Sequence, residues 1–237
     1  PSTSPAPAPA ADWPCWRGPH RDGQVEGFSA PALWPKNLKE EWKIAVGEGH
    51  SSPIIANGHA FIFTREKGDE VLRSIGISSG KEAWRTSYPA PYEVNPDARS
   101  HGPGPKSTPA ARAGKLYTLG ISGILSSFDA ATGAVKWRRD FSKEFPKTSP
   151  LFGTAMSPLI EGDVCIAHVG GHGKGALRAF DAETGETKWS WDGDGPAYAS
   201  PVGTIAAVST IRMTARLGAR VRWTTPLGTT KPCRALS

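Results

Sequence analysis

Three stretches of this chain close alike, on Gly-x-x-x-Trp, and this recurrence constrains the fold more than any other feature. The closing pairs are Gly80 and Trp84, Gly133 and Trp137, and Gly185 and Trp189. Each stretch opens on a hydroxyl residue followed by proline, at Ser52-Pro53, Thr108-Pro109 and Ser157-Pro158. After each opening comes a turn glycine, with Asn57-Gly58 and Glu161-Gly162 read as hairpin turns. Two apolar runs follow in each: His59–Thr64 and Leu72–Ile77, Lys115–Gly120 and Gly123–Phe128, Asp163–Val169 and Ala176–Phe180. A fourth opening stands at Ser200-Pro201-Val202. Short apolar runs separated by turn residues at fixed offsets read as strands, four to a unit.

The turn before each tryptophan has a physical logic. In Asp129-Ala130-Ala131-Thr132-Gly133 and Asp181-Ala182-Glu183-Thr184-Gly185, the carboxylate can accept hydrogen bonds from the turn's own N–H groups. The threonine hydroxyl can add another, and glycine takes the left-handed position. The chain then reverses and delivers Trp137 or Trp189 on the returning strand. A four-stranded sheet cannot bury both faces alone, so the units must stack, with a large aromatic filling the space between neighbours. Trp84, Asp129, Thr132, Gly133, Trp137, Asp181, Thr184, Gly185 and Trp189 therefore read as architecture, and Asp129 and Asp181 are not a catalytic pair. The first unit departs from the pattern, with Gly76 in the place of Asp and Ser79 in the place of Thr.

Phe-Asp-Ala-x-Thr-Gly-x-x-x-Trp, at 128–137 and 180–189, resembles the tryptophan-docking repeat of the pyrroloquinoline-quinone (PQQ)-like β-propellers. That group holds the quinoprotein alcohol dehydrogenases and the BamB-like outer-membrane assembly lipoproteins. The segment Asp12-Trp13-Pro14-Cys15-Trp16-Arg17-Gly18-Pro19 resembles the opening of exported members of the group. The resemblance covers Asp12 to Val202 and implies an all-β fold. The expected architecture is a partial β-propeller of about three four-stranded blades plus the first strand of a fourth. The remaining blades of the ring are expected to be missing, which leaves two blade faces open.

Composition agrees with many short strands, since 27 Gly and 22 Pro favour turns over long helices. No run of 18 apolar residues is present to span a membrane as a helix. The formal charge of +6 does not mark a nucleic-acid binder. Arg212, Arg216, Arg220, Arg222, Lys231 and Arg234, with no acid in 203–237, account for all of it, and the body is neutral. Residues 1–11, rich in Pro, Ala and Ser, read as a linker of the kind that follows a removed signal peptide or precedes a tethered domain. The expected location is therefore exported, periplasmic or at the cell envelope. Residues 203–237 lack the turn and closure of a blade, and Trp223 comes too early after Pro201. This stretch is expected to be an aberrant basic tail, out of frame or disordered.

Candidate chemistry is sparse. Cys15, Cys165 and Cys233 form no CxxC and no vicinal pair, which argues against a disulfide framework or zinc site, and Cys165 reads as a buried small hydrophobe. The glycine-rich run His168–Gly175 reads as a hairpin tip rather than a metal or phosphate site. Two connections are long, 88–106 and 138–155, and long loops carry function. His50, Arg99, His101 and Lys106 are the candidate residues of a polar funnel on one loop face. No catalytic residue, metal ligand or cofactor is evident. The expected function is a non-catalytic binding or scaffold propeller, with a protein or small ligand on its loop face and no nucleic-acid partner. The alternative is a fragment of a PQQ- and calcium-dependent alcohol dehydrogenase, and fold alone does not license it.

Overall fold

The computed structural model describes residues 12–145, 150–171, 173–206 and 210–213. The expected linker at 1–11, and residues 207–209 and 214–237 of the expected tail at 203–237, lie outside the described residues. Three four-stranded antiparallel sheets follow one another in chain order, each a simple meander. The first blade is β1 (Ile54–Ala56), β2 (His59–Glu66), β3 (Asp69–Gly76) and β4 (Glu82–Pro89). The second is β5 (Ala110–Arg112), β6 (Lys115–Leu119), β7 (Ile124–Asp129) and β8 (Val135–Asp140). The third is β9 (Leu159–Glu161), β10 (Val164–Gly171), β11 (Lys174–Asp181) and β12 (Thr187–Trp191). A two-stranded pair, β13 (Gly203–Ala206) and β14 (Thr210–Met213), continues the series past Val202. The chain is thus a partial β-propeller.

Local chemistry explains the hairpins. Asn57 and Gly58 both hold positive φ, +51° and +75°, the requirement of a type I′ turn, and join Ala56 to His59. The third blade solves the same problem differently. There Glu161 pairs with Val164, so the turn centres on Gly162-Asp163 rather than on Glu161-Gly162 as read from sequence. Gly162 at φ +57° supplies the one positive φ that a type II′ turn needs at its first central position.

Each blade carries one register shift at an equivalent place, between Ser74 and Ile75, Ser127 and Phe128, and Ala179 and Phe180. The unpaired residue on the facing strand immediately precedes the tryptophan, which then pairs with Ser74, Ser127 or Ala179. A bulge bends its strand and re-aims the next side chain. Repeated three times, it sets the indole toward the following blade.

The core lies between blades rather than within them. Phe61, Phe63, Leu72, Tyr88, Leu116 and Phe128 form one buried cluster across blades one and two. Tyr117, Leu125, Trp137, Met156, Cys165 and Phe180 form another across blades two and three. Cys165 is wholly buried there, and burial drives its thiol pKa far up, so it serves as a small hydrophobe. A polar knot reinforces the first of these interfaces. The Glu70 carboxylate, fully buried, accepts from the Tyr88 hydroxyl at 2.8 Å and from the Ile121 N–H at 2.7 Å. The Arg138 guanidinium covers the Tyr88 ring at 3.8 Å from the other blade.

The segment that opens the described chain crosses the inner edges of all three blades. Trp13 exchanges two backbone hydrogen bonds with Ile55 of β1, at 2.8 and 3.0 Å. The Pro14 carbonyl accepts from Ala111 of β5 at 2.7 Å. Arg21, only 6% exposed, reaches the Pro158 carbonyl beside β9 at 3.1 Å. Burial pulls its guanidinium pKa down, while the Cys15 sulfur beside it acts in the opposite sense.

Candidate functional site

The repeat residues come together between blades. The Trp84 indole N–H donates to the Ala130 carbonyl at 3.1 Å, and that of Trp137 to Ala182 at 3.0 Å. Each ring lies flat against the turn glycine of the following blade, Gly133 under Trp84 and Gly185 under Trp137. Asp129 Oδ1 accepts from the N–H groups of Ala131 and Thr132, at 3.1 and 3.0 Å, and from the Thr132 hydroxyl at 2.9 Å. Asp181 accepts from Glu183 and Thr184 N–H, both at 2.9 Å. These bonds hold both carboxyls below the usual aspartate range, led by the Thr132 hydroxyl for Asp129 and the Thr184 N–H for Asp181. Carboxylates engaged in this way are turn anchors, not acids or bases poised for proton transfer. Trp189 is half-buried and packs on the cluster of Leu159, Ile166, Leu177 and Ala179.

Sequence reading missed a further member of this series, Trp42. Its indole N–H donates to the Ile77 carbonyl at 2.6 Å, and its ring lies under Gly80. Ile77 and Gly80 stand in the first blade where Ala130 and Gly133 stand in the second. The glycine of each Gly-x-x-x-Trp therefore receives the tryptophan of the preceding unit, while its own tryptophan goes on to the next. Trp42 needs no glycine before it, and so the motif did not reveal it.

A second repeated device links the strand openings. The N–H of Ser52 donates to Thr108 Oγ1 at 3.4 Å, that of Thr108 to Ser157 Oγ at 3.0 Å, and that of Ser157 to Ser200 Oγ at 2.8 Å. Each opening hydroxyl thus ties its blade to the one before. This chain of bonds fixes the loop face, where the candidate funnel residues lie. His50 Nε2 is 3.0 Å from the His101 carbonyl, and their rings are 6.3 Å apart. Lys106 donates to the Gly102 carbonyl at 3.4 Å, and burial pulls its pKa down. Arg99 sits on a short 3₁₀ turn, Pro96–His101, with its side chain exposed, and is not drawn into the group.

Two aromatic residues complete the face. The His101 ring stands 4.7 Å from Phe152, and Phe152 stands 5.6 Å from Tyr198. These three come from the connections that follow the first, second and third blades. Tyr198 was legible in principle, since it precedes Pro201 by the interval that separates His50 from Pro53 and Lys106 from Pro109. Phe152 carried no such signal. Clefts of about 310 and 290 Å³ share Tyr92 and Glu93 in their walls. Phe141 and Phe145 line the first, and Pro150 and Leu151 the second. A cavity of about 440 Å³ lies between the opening segment and the inner strands, lined by Cys15, Arg21, Arg112 and Glu161.

The glycine-rich run is a β-hairpin, β10 into β11, and His172 lies outside the described residues. His168 is held by the Asp194 carbonyl at 3.0 Å, and burial lowers its pKa. Among the described residues no three His, Cys, Asp or Glu side chains gather to hold a metal. No helix among them is long and apolar enough to cross a membrane.

Stacked four-stranded blades pinned by docked tryptophans define a β-propeller of repeat type. The family model described as outer membrane protein assembly factor BamB, a PQQ-type repeat family, matches residues 68–231, and the chain belongs to that family. The BamB of Shewanella oneidensis is 32% identical over 97 residues, covering 40% of this chain and 24% of that protein. The quinohemoprotein alcohol dehydrogenase of Comamonas testosteroni is 40% identical over 80 residues, covering 33% of this chain and 11% of that protein. The solved structure of that dehydrogenase aligns with a TM-score of 0.44 at 23% identity, over 60% of this chain and 21% of that one. The matched region thus spans about a quarter of the length of the first relative and about a tenth of the second.

Proposed function

We propose that this chain is part of an exported propeller that acts as a non-catalytic binding module and presents its loop face to a protein partner. The observation that carries the reading is the row His101, Phe152 and Tyr198, which joins the connections of three successive blades into one aromatic surface flanked by two clefts. Aromatic side chains with polar edges are favoured at protein interfaces because they bury area at low entropic cost. The carboxylates that could have served chemistry, Asp129 and Asp181, are engaged in turns. Kinship with an outer membrane protein assembly factor supports export and a protein partner.

A second reading, a piece of a PQQ-dependent alcohol dehydrogenase, draws support from the 40% identity to the Comamonas enzyme. The described residues do not fit a calcium-held quinone. Cys15 and Cys165 are not adjacent, Cys165 is buried, and no carboxylate cluster is present among them. Adding PQQ and calcium to the intact gene product separates the two readings, since a bound-quinone spectrum with alcohol oxidation overturns the first.

The binding face is tested by photo-crosslinking in cells, with benzoylphenylalanine placed at Leu151, at Tyr198 or, away from the face, at Val135. All three sites are exposed. Discrete protein adducts from Leu151 and Tyr198 alone are expected. Equal labelling from Val135 contradicts the assignment.

A further inference from the structure

We infer that the cavity between the opening segment and the inner strands binds a small organic anion, whose carboxylate is held by Arg21 and Arg112. Three observations carry the inference. First, Arg21 is a buried charge without a counter-charge. Among the described residues three arginines are buried, Arg21, Arg65 and Arg73. Arg73 is paired with Glu66 and Glu82, and Arg65 faces the Glu70 carboxylate. All 22 Asp and Glu of the chain lie within the described residues, and none of them stands beside Arg21, whose one titratable neighbour is Cys15. The Arg21 Nη1 and Nη2 groups donate to the carbonyls of Pro158 and Ser157, at 3.1 and 3.5 Å. Its Nε–H is buried and has no partner among the described residues. A buried cation is costly unless an opposite charge or a full set of hydrogen bonds offsets it.

Second, the local fold holds this charge in place and leaves it uncompensated. The Gly18 N–H donates to the Cys15 carbonyl at 2.9 Å, and the Arg21 N–H to the Gly18 carbonyl at 3.0 Å. Two successive turns thus bring Arg21 back beside Cys15. Burial pushes the Cys15 thiol pKa up, so at neutral pH the thiol keeps its proton and supplies no negative charge. The Trp16 ring lies 5.8 Å from the Arg21 guanidinium carbon and covers it without neutralising it.

Third, Arg21 stands in the wall of a cavity suited to a ligand that would neutralise it. The cavity of about 440 Å³ has the size of a small-molecule site. Arg112 of β5 joins Arg21 on the wall, and Glu161 is the one acid there. The Arg112 guanidinium donates to the Ile160 carbonyl at 3.3 Å and is otherwise exposed. Two guanidiniums against one carboxylate leave one positive charge, which a single further carboxylate balances. The planar donor fork of arginine matches that group. Pro14, Leu159 and Val202 line the same cavity, so the remainder of the ligand is apolar. The inference is independent of the loop-face reading, which concerns different residues.

The probe is benzoate, with benzamide as its uncharged counterpart, titrated into the full 237-residue chain at constant ionic strength and followed by saturation-transfer NMR. Benzoate should bind saturably, and benzamide about tenfold more weakly, the worth of one charge-assisted contact. Bound benzoate should also slow the alkylation of Cys15 by iodoacetamide, read by mass spectrometry of its peptide, while chloride at the same ionic strength should not. Arg112→Gln changes an exposed side chain, so it should keep the wild-type circular dichroism and lose about tenfold in benzoate affinity. Arg21→Lys keeps the charge without the fork and should weaken binding as well. Should that variant unfold, Arg112→Gln and the protection of Cys15 decide. Absent saturable binding, equal binding of benzamide, or a folded Arg112→Gln variant that binds benzoate like the wild type overturns the inference. Binding that leaves the alkylation of Cys15 unchanged also refutes it, because the anion then sits elsewhere.

Discussion

Trp137 and Gly185 are in flat contact across the boundary between the second and third blades. A Cβ built on Gly185 falls 2.6 Å from Trp137 Cδ2, and Gly185 sits at φ +70°. The indole has room only because the residue beneath it has no side chain, and the turn exists only because that residue tolerates a left-handed backbone. One glycine therefore serves turn and interface together.

Gly185→Ala should destabilise the chain by roughly 2–4 kcal/mol, combining the left-handed penalty with overpacking against the ring. Gly162→Ala is the comparison, since Gly162 has positive φ, +57°, but nothing within 4 Å of the added carbon. It should cost only about 1–2 kcal/mol. Urea denaturation of both checks the difference, and equal losses would mean that the contact with Trp137 carries no energy.

The ladder of opening hydroxyls can be cut at one rung. Ser157 is 2% exposed, and its hydroxyl oxygen accepts from the buried N–H of Thr108. Ser157→Ala strands that donor and should cost roughly 1–3 kcal/mol, while Ser157→Thr keeps the acceptor and should recover most of it. Thermal melting of the pair is sufficient to see this.

Glu70→Ala should be more severe. It orphans the Tyr88 hydroxyl and the Ile121 N–H inside the first interface and removes the acid that Arg65 and Arg138 face. A loss of roughly 3–5 kcal/mol is expected from breaking a buried charged network on one side. A loss below about 1 kcal/mol, within the range of ordinary surface changes, would contradict the burial assigned to this carboxylate.

Acid should weaken the turns before it weakens the core. Asp129 and Asp181 have folded pKa values below their ordinary 3.8, so their folded state binds fewer protons than the unfolded one. Their stabilisation is complete above the unfolded value and is lost as pH falls through the folded value. The double variant Asp129→Asn, Asp181→Asn should lose less stability than the wild type between pH 5 and pH 2. Parallel pH profiles would show that the carboxylates do not anchor the turns.

Much of the fold was legible because the repeat is written locally. The turn residues Asp129, Thr132 and Gly133 satisfy one another within five positions, and β-strand alternation follows from the pleat. Trp42 was not legible because its partners, Ile77 and Gly80, lie in the next unit, and nothing beside it in sequence announces them. Glu70 was hidden for a similar reason. Its cover comes from the next unit, where Gly120 of the second blade closes over it. On the loop face, Arg99, His101 and Lys106 were singled out by the long Pro/Gly-rich connection that carries them, and His50 by its place just before a strand opening, while Phe152 depends on how a long connection folds back. Long connections vary in length between repeats, so register does not extend into them.

Indole hydrogen exchange tests the docking of tryptophans between blades most directly. In a ¹⁵N-labelled sample, with resonances assigned by single Trp→Phe substitutions, the indole N–H groups of Trp42, Trp84 and Trp137 should exchange slowly, each held by a carbonyl of the adjacent blade. Trp34, 59% exposed, is the internal reference for fast exchange. Slow exchange at the three, each retained when either of the others is replaced, is the expected result. A Trp137 indole that exchanges as fast as that of Trp34 would contradict the stacked-blade architecture.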